Sequence, residues 1–225
     1  MRTPPGRPAA RTPNRERDDR DRGPRAARNP EGGRNGDRGR ELHLPPTLRL
    51  FVAISAPDDI VRRLRRALAE RRDLLERFPA SLHLTLRFLG DMPESSLPLI
   101  GDALASAGGP PDPELRLGPL GVFRRKDAAT LWAGLDPSPE LLGLKARVDS
   151  ALATLPLPPP QGESPGRFTP HLTIARLKAR GPQPPADPGS IRPGGTFRAG
   201  SFGLFSSVLR PEGARHTLLR AYPLA

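Results

Sequence analysis

The stretch Ser81-Leu82-His83-Leu84-Thr85-Leu86-Arg87-Phe88-Leu89-Gly90 decides how the rest of the chain is read. Side chains alternate across a β-strand, so His83 and Thr85 leave one face while Leu82, Leu84 and Leu86 leave the other. One face enters a core, and the opposite one meets solvent or a ligand. The frame returns at Pro170-His171-Leu172-Thr173-Ile174-Ala175-Arg176, with His171 and Thr173 on one face and Leu172 and Ile174 on the other. The chain has only 4 His, and two of them occupy the same four-residue frame. With 36% hydrophobic residues, two chance occurrences of His-apolar-Thr-apolar among four histidines come to roughly 2 in 10,000. The repeat therefore needs a common reason.

Working outward, the first 46 residues hold 12 Arg, 7 Asp or Glu, 8 Pro and 6 Gly and almost no aliphatic side chains before Leu42. Such a segment buries too little apolar surface to offset its ordering entropy, so residues 1–46 are expected to be a disordered tail. Residues 47–225 are expected to form one globular domain. The formal charge of +12 is carried almost wholly by Arg, since Lys stands only at Lys126, Lys145 and Lys178. Guanidinium groups pair bidentately with phosphate, which is compatible with a nucleic-acid partner and equally with an Arg-rich codon usage. The absence of Cys excludes a disulfide framework and a thiolate metal site. No apolar run approaches 18 residues, so the chain reads as cytoplasmic, with no membrane partner.

Leu48 to Ile54 reads as a buried first strand. Pro57-Asp58-Asp59 starts an amphipathic helix expected to run to about Arg77, with Ile60, Leu64, Leu68 and Leu75 on one face. After the His83 strand a second helix is expected over Glu94 to Ala107. Two strands, Leu115 to Phe123 and Thr130 to Gly134, are joined through Arg124-Arg125-Lys126-Asp127, a solvated turn or a contact for a phosphate backbone. A third helix covers Glu140 to Leu155, and the His171 strand follows. Lys178 to Gly195 is rich in Pro and Gly and reads as a mobile loop. Phe197 to Val208 and His216 to Tyr222 read as closing strands around Pro211-Glu212-Gly213. Each half carries one His strand, which suggests internal pseudo-symmetry in an α+β fold of mainly antiparallel strands.

Two His alone supply too few ligands for a catalytic zinc, and there is no Gly-x-Ser-x-Gly elbow. What two imidazoles do without metal is concerted acid–base chemistry, one taking a proton from the attacking group while the other gives one to the leaving oxygen. This suits phosphodiester cleavage, where Thr hydroxyls, an Arg and an imidazolium stabilise charge on the non-bridging oxygens. Arg176 lies five residues beyond His171. On an ideal strand it faces the other way, so its use as a phosphate ligand requires a bulge.

The paired His-Leu-Thr-Leu and His-Leu-Thr-Ile motifs resemble the two signatures of the two-histidine (2H) phosphoesterase superfamily. Arg-Leu-Phe-Val-Ala-Ile at 49–54, Leu-Trp-Ala-Gly at 131–134 and Pro-His-Leu-Thr-Ile-Ala-Arg at 170–176 narrow the likeness to the RNA 2′,3′-cyclic phosphodiesterases, historically called 2′-5′ RNA ligases. The resemblance covers about 48–225. It implies a bilobal α+β fold, two antiparallel sheets with pseudo-twofold symmetry around a central cleft and helices outside, in a monomer with no metal and no cofactor. It further implies hydrolysis of RNA 2′,3′-cyclic phosphate ends to 2′-phosphates, with reversible 2′-5′ ligation in some members. By position, His83 is then the proton donor, His171 the proton acceptor, Thr85, Thr173 and Arg176 phosphate contacts, and Phe51 a wall of the base pocket. One departure is visible: the family usually places Tyr three residues after the turn glycine Gly213, where this chain has His216, a position expected to be peripheral. Two other readings stay open, a 2H enzyme acting on a small cyclic nucleotide and a basic RNA-binding module without catalysis.

Overall fold

The computed structural model describes residues 46–109, 111–157, 168–210 and 213–225. Apart from Pro46, the tail expected at 1–46 lies outside the described residues, as do Pro211 and Glu212. In chain order the elements are β1 (Thr47–Ser55), α1 (Asp58–Ala67), α2 (Arg72–Leu75), β2 (His83–Pro93), a 3-10 turn at Glu94–Ser96, α3 (Leu97–Ser106), β3 (Glu114–Arg125) and β4 (Ala128–Leu135). They continue with α4 (Pro139–Ala153), β5 (His171–Lys178), a 3-10 turn at Pro188–Ser190, β6 (Thr196–Arg198), β7 (Ser201–Arg210) and β8 (Gly213–Pro223). All strand pairs are antiparallel, in the order β6-β3-β4-β5-β2-β1-β7-β8.

That order is its own mirror about the β5/β2 boundary. β5 answers to β2, β4 to β1, β3 to β7 and β6 to β8. The two halves meet through a single paired position, Leu84 with Leu172, so two four-stranded sheets are joined at a narrow seam. Leu84 and Leu172 are both buried, in one apolar core with Ile60 and Leu64 of α1, Ile100 and Leu104 of α3, and Leu141, Leu144, Val148 and Leu152 of α4. Truncating either seam leucine to Ala removes packing worth about 2–5 kcal/mol. The helices thus cover the leucine face, and the His/Thr face is left open.

Local chemistry sets several boundaries. The Ser138 hydroxyl accepts from the Leu141 N–H (3.2 Å) and Pro139 follows at the first helical position, which starts α4. The first helix does not run unbroken to Arg77. Leu68 leaves the helical region (φ −112°, ψ 17°) and the chain restarts after Arg71. The break changes the helical phase, so Leu74 is the fully buried residue and the expected Leu75 packs half-buried against the same core. The arginines at 124 and 125 are not turn residues: β3 runs through Arg125, leaving a two-residue connection at Lys126-Asp127. The single strand expected from Phe197 to Val208 is interrupted at Ala199-Gly200 into β6 and β7. The Pro-rich segment expected to be a mobile loop is tied down along its length, beginning with the Ala179 N–H, which donates to the Asp127 carbonyl. Its Ile191 and Gly195 carbonyls accept from the Leu120 and Leu117 N–H groups, and the Gln183 carbonyl accepts from the Arg71 guanidinium. No helix is long and apolar enough to cross a membrane among the described residues.

Candidate active site

The seam builds the site. Extending the antiparallel register one residue either side of Leu84 and Leu172 brings His83 level with Thr173 and Thr85 level with His171. All four side chains are half-buried on the open face, while Leu82, Leu84, Leu86, Leu172 and Ile174 are buried on the other.

Arg176 reaches the same face because of a bulge. Between β4 and β5, Trp132 pairs with Thr173 but Leu131 pairs with Ala175, so Ile174 is an extra residue. Ile174 and Ala175 are both buried, and after them Arg176 and Lys178 are exposed. The equivalent bulge occurs in the other half. Ala53 pairs with Thr85 and Val52 with Arg87, which leaves Leu86 unpaired and turns Phe88 outward, 38% exposed. Position His+5 is therefore brought to the open face twice, as Arg176 and as Phe88.

Rings crowd the first half. The Phe51 ring lies 4.9 Å from His83, 6.2 Å from Phe88, 5.3 Å from Phe205 and 5.0 Å from His216, centroid to centroid. Phe51 is only 2% exposed. It is a floor under the other rings, of which Phe88 is the exposed one. In the second half Trp132 lies across Gly121, where a Cβ would fall 2.2 Å from the indole. Phe123 meets Trp132 at 5.0 Å and His171 edge-on at 5.1 Å.

His216 is not peripheral. Ser207 pairs with both His216 and Arg49, and Phe205 with Phe51, so β7 carries β8 against β1. The His216 ring stands edge-on to His83 at 4.8 Å. Nothing in the local sequence of β8 announces this, because the contact depends on four strands, β8, β7, β1 and β2, being neighbours. The buried His216 Nδ1 and Trp132 Nε1 have no hydrogen-bond partner among the described residues.

The two motif histidines differ electrically. Burial, followed by the charges of His216, Arg176 and His171, pushes His83 down to about 4. Burial also lowers His171, but its Nδ1–H donates to the Thr169 carbonyl (2.8 Å), a bond that favours the protonated ring and partly offsets the effect. That bond fixes the neutral tautomer and leaves Nε2 as the unprotonated nitrogen. His216 is lowered by burial and then by Arg176. The positive field of Arg176 thus reaches all three imidazoles. Such an assembly offers one acceptor nitrogen of fixed tautomer, one weakly held proton, two hydroxyls and a guanidinium around a space suited to an anion.

Residues 52–189 match the family model described as the 2′-5′ RNA ligase superfamily. A Thermus thermophilus protein named RNA 2′,3′-cyclic phosphodiesterase is 31% identical over 191 residues, 79% of this chain and 90% of that protein. An Archaeoglobus fulgidus protein of the same name is 28% identical over 184 residues, 78% of this chain and 99% of the relative. Among solved structures, Escherichia coli LigT complexed with 3′-AMP superimposes with a TM-score of 0.63 at 26% identity, covering 80% of this chain and 99% of LigT.

Proposed function

The chain belongs to the 2′-5′ RNA ligase superfamily, and on that premise we propose that it is an RNA 2′,3′-cyclic phosphodiesterase that opens the cyclic ends of RNA to 2′-phosphates. The observation that carries this reading is the Leu84–Leu172 seam, which puts both His/Thr pairs on one open face. The names of the curated relatives support the reaction class.

In the hydrolytic step water attacks phosphorus. His171, through Nε2, takes a proton from the water as its oxygen bonds to phosphorus. His83, protonated, gives its proton to O3′ as the P–O3′ bond breaks. The products are a 2′-phosphate monoester and a free 3′-hydroxyl. Thr85, Thr173 and Arg176 hold the non-bridging oxygens, where charge accumulates. With a 5′-hydroxyl of another RNA in place of water, the same proton transfers give a 2′-5′ linkage. An imidazole with a midpoint near 4 is mostly neutral in the free protein at neutral pH. The negative charge of the bound phosphodiester favours its protonation.

An oligonucleotide ending in a 2′,3′-cyclic phosphate, treated with the full chain in EDTA, should yield a 2′-phosphate end, resolved from the 3′ isomer by chromatography. His83→Ala and His171→Ala should each lower turnover by on the order of 10³-fold or more. A 3′-phosphate product contradicts the proton assignment, and full activity in either variant removes the two-histidine site.

A further inference from the structure

The open face continues past Arg176, and its composition changes from one half of the sheet to the other. By register, Phe123, Thr130 and Arg176 form one row across β3, β4 and β5, and Arg125, Ala128 and Lys178 form the next. Rows two residues apart on a strand share a face and lie about 6.5 Å from each other. Arg125, Arg176 and Lys178 are exposed, and none of them is drawn into an ion pair among the described residues. The turn Lys126-Asp127 is fixed beside the end of β5, where the Ala179 N–H donates to the Asp127 carbonyl (3.1 Å). Asp127 is the one carboxylate in segments 123–130 and 176–180, which carry Arg124, Arg125, Lys126, Arg176, Lys178 and Arg180. Phe123, 40% exposed, sits between the histidine and this cationic end. The mirror positions in the other half are Phe205, Phe51 and Phe88, followed by the row Ser207, Arg49 and Asp91, where the one cation is level with a carboxylate.

We propose that the open face of β3, β4 and β5 beyond Arg176 is a track for the RNA strand leading into the site, with Lys178 and Arg125 taking the next backbone phosphate and Phe123 a base. A cationic groove interleaved with an exposed ring is how single strands are held without sequence preference. The reacting end lies at the seam, and the body of the strand leaves over this half only. The inference rests on the proposed reaction, and makes the protein an oligonucleotide enzyme in preference to one for mononucleotides.

The test compares kcat/KM for a nucleoside 2′,3′-cyclic phosphate with that for a six-nucleotide RNA bearing the same end, within each protein. The wild type should prefer the oligonucleotide, and Arg125→Ala/Lys178→Ala should lower that preference about tenfold. The double variant should also lessen the salt slope for the oligonucleotide by about 0.7, the value for one lost single-strand phosphate contact. Arg62→Ala/Arg66→Ala removes equal charge from exposed positions of α1 and should keep the wild-type preference. An unaltered preference in the β3/β5 variant overturns the track, and an equal loss in the α1 variant assigns the effect to net charge and overturns it too. If the wild type turns over neither substrate, the reaction fails separately. Anisotropy of the labelled oligonucleotide, titrated with salt, then decides the track by the same difference in slope.

Discussion

Two rows of three side chains, equivalent under the twofold of the sheet, are filled with opposite chemistry. In one half the row is Phe205, Phe51, Phe88, and in the other it is Phe123, Thr130, Arg176. The glycines one row nearer the histidines, Gly203 and Gly121, also correspond. The bulged residue after each Thr is shared, so within these rows the difference lies in the side chains; beyond them, of the two His strands, only β2 bulges again, at Leu89. It teaches how a symmetric pair of imidazoles is given unequal work. The half that holds His83 surrounds it with rings and a second imidazole, which disfavour its charge. The half that holds His171 ties one ring nitrogen to a carbonyl and leaves the other as an acceptor.

The largest effect expected from breaking the asymmetry is at His+5. Arg176→Ala should lower kcat and kcat/KM together by roughly 10²-fold, because a cation on the non-bridging oxygens acts on charge that grows in the transition state. Phe88→Ala, at the mirror position, should instead raise KM by roughly tenfold with little change in kcat, as loss of a stacking ring does. Steady-state kinetics on one substrate separates the two. Equal patterns would mean that the halves are not divided between phosphate and base.

The sequence made the two His/Thr strands legible because a period of two needs only four residues to show. Strand and helix order in the first half followed from the same patterning. Arg176 was harder, since alternation assigned it to the buried face. The consecutive apolar residues Ile174-Ala175 were the available sign of a bulge. His216 lay beyond sequence reasoning, because its ring meets His83 only through the β8-β7-β1-β2 arrangement. Phe51 is legible as a ring on the first strand, but its depth is not: the rings that cover it come from β2, β7 and β8, and no local pattern reveals them.

A smaller effect concerns pH. His83 and His171 are both displaced below their ordinary range, so the maximum of kcat/KM is expected below pH 6.5. The charges that bear on His83 are His216 on β8 and Arg176 and His171 on β5. Arg49 lies in the same register row as His216 but is exposed. His216→Asn removes one of these charges at acid pH. The His83 midpoint, followed by NMR of the labelled imidazoles, should then rise from about 4 by on the order of half a unit. An unmoved midpoint would show that burial and Arg176 account for it without help from β8.

The smallest effect reads the same asymmetry as stability. An unfolded His83 takes up a proton near its ordinary pKa of 6.5, whereas the folded one resists until about pH 4. Between those values the unfolded state binds more protons, so stability rises with pH there and falls as acid is added. His83→Asn removes that linkage. The stability lost between pH 7 and pH 5 should therefore shrink by about 2 kcal/mol, roughly 4–8 °C in Tm for a chain of this size. His171→Asn should shrink it less, because the bond to the Thr169 carbonyl already supports the protonated ring in the native state. Calorimetric scans of the three proteins at the two pH values decide the point. If His171→Asn proved the more protective substitution, the weakly held proton would sit in the cationic half, and the roles of donor and acceptor would have to be exchanged.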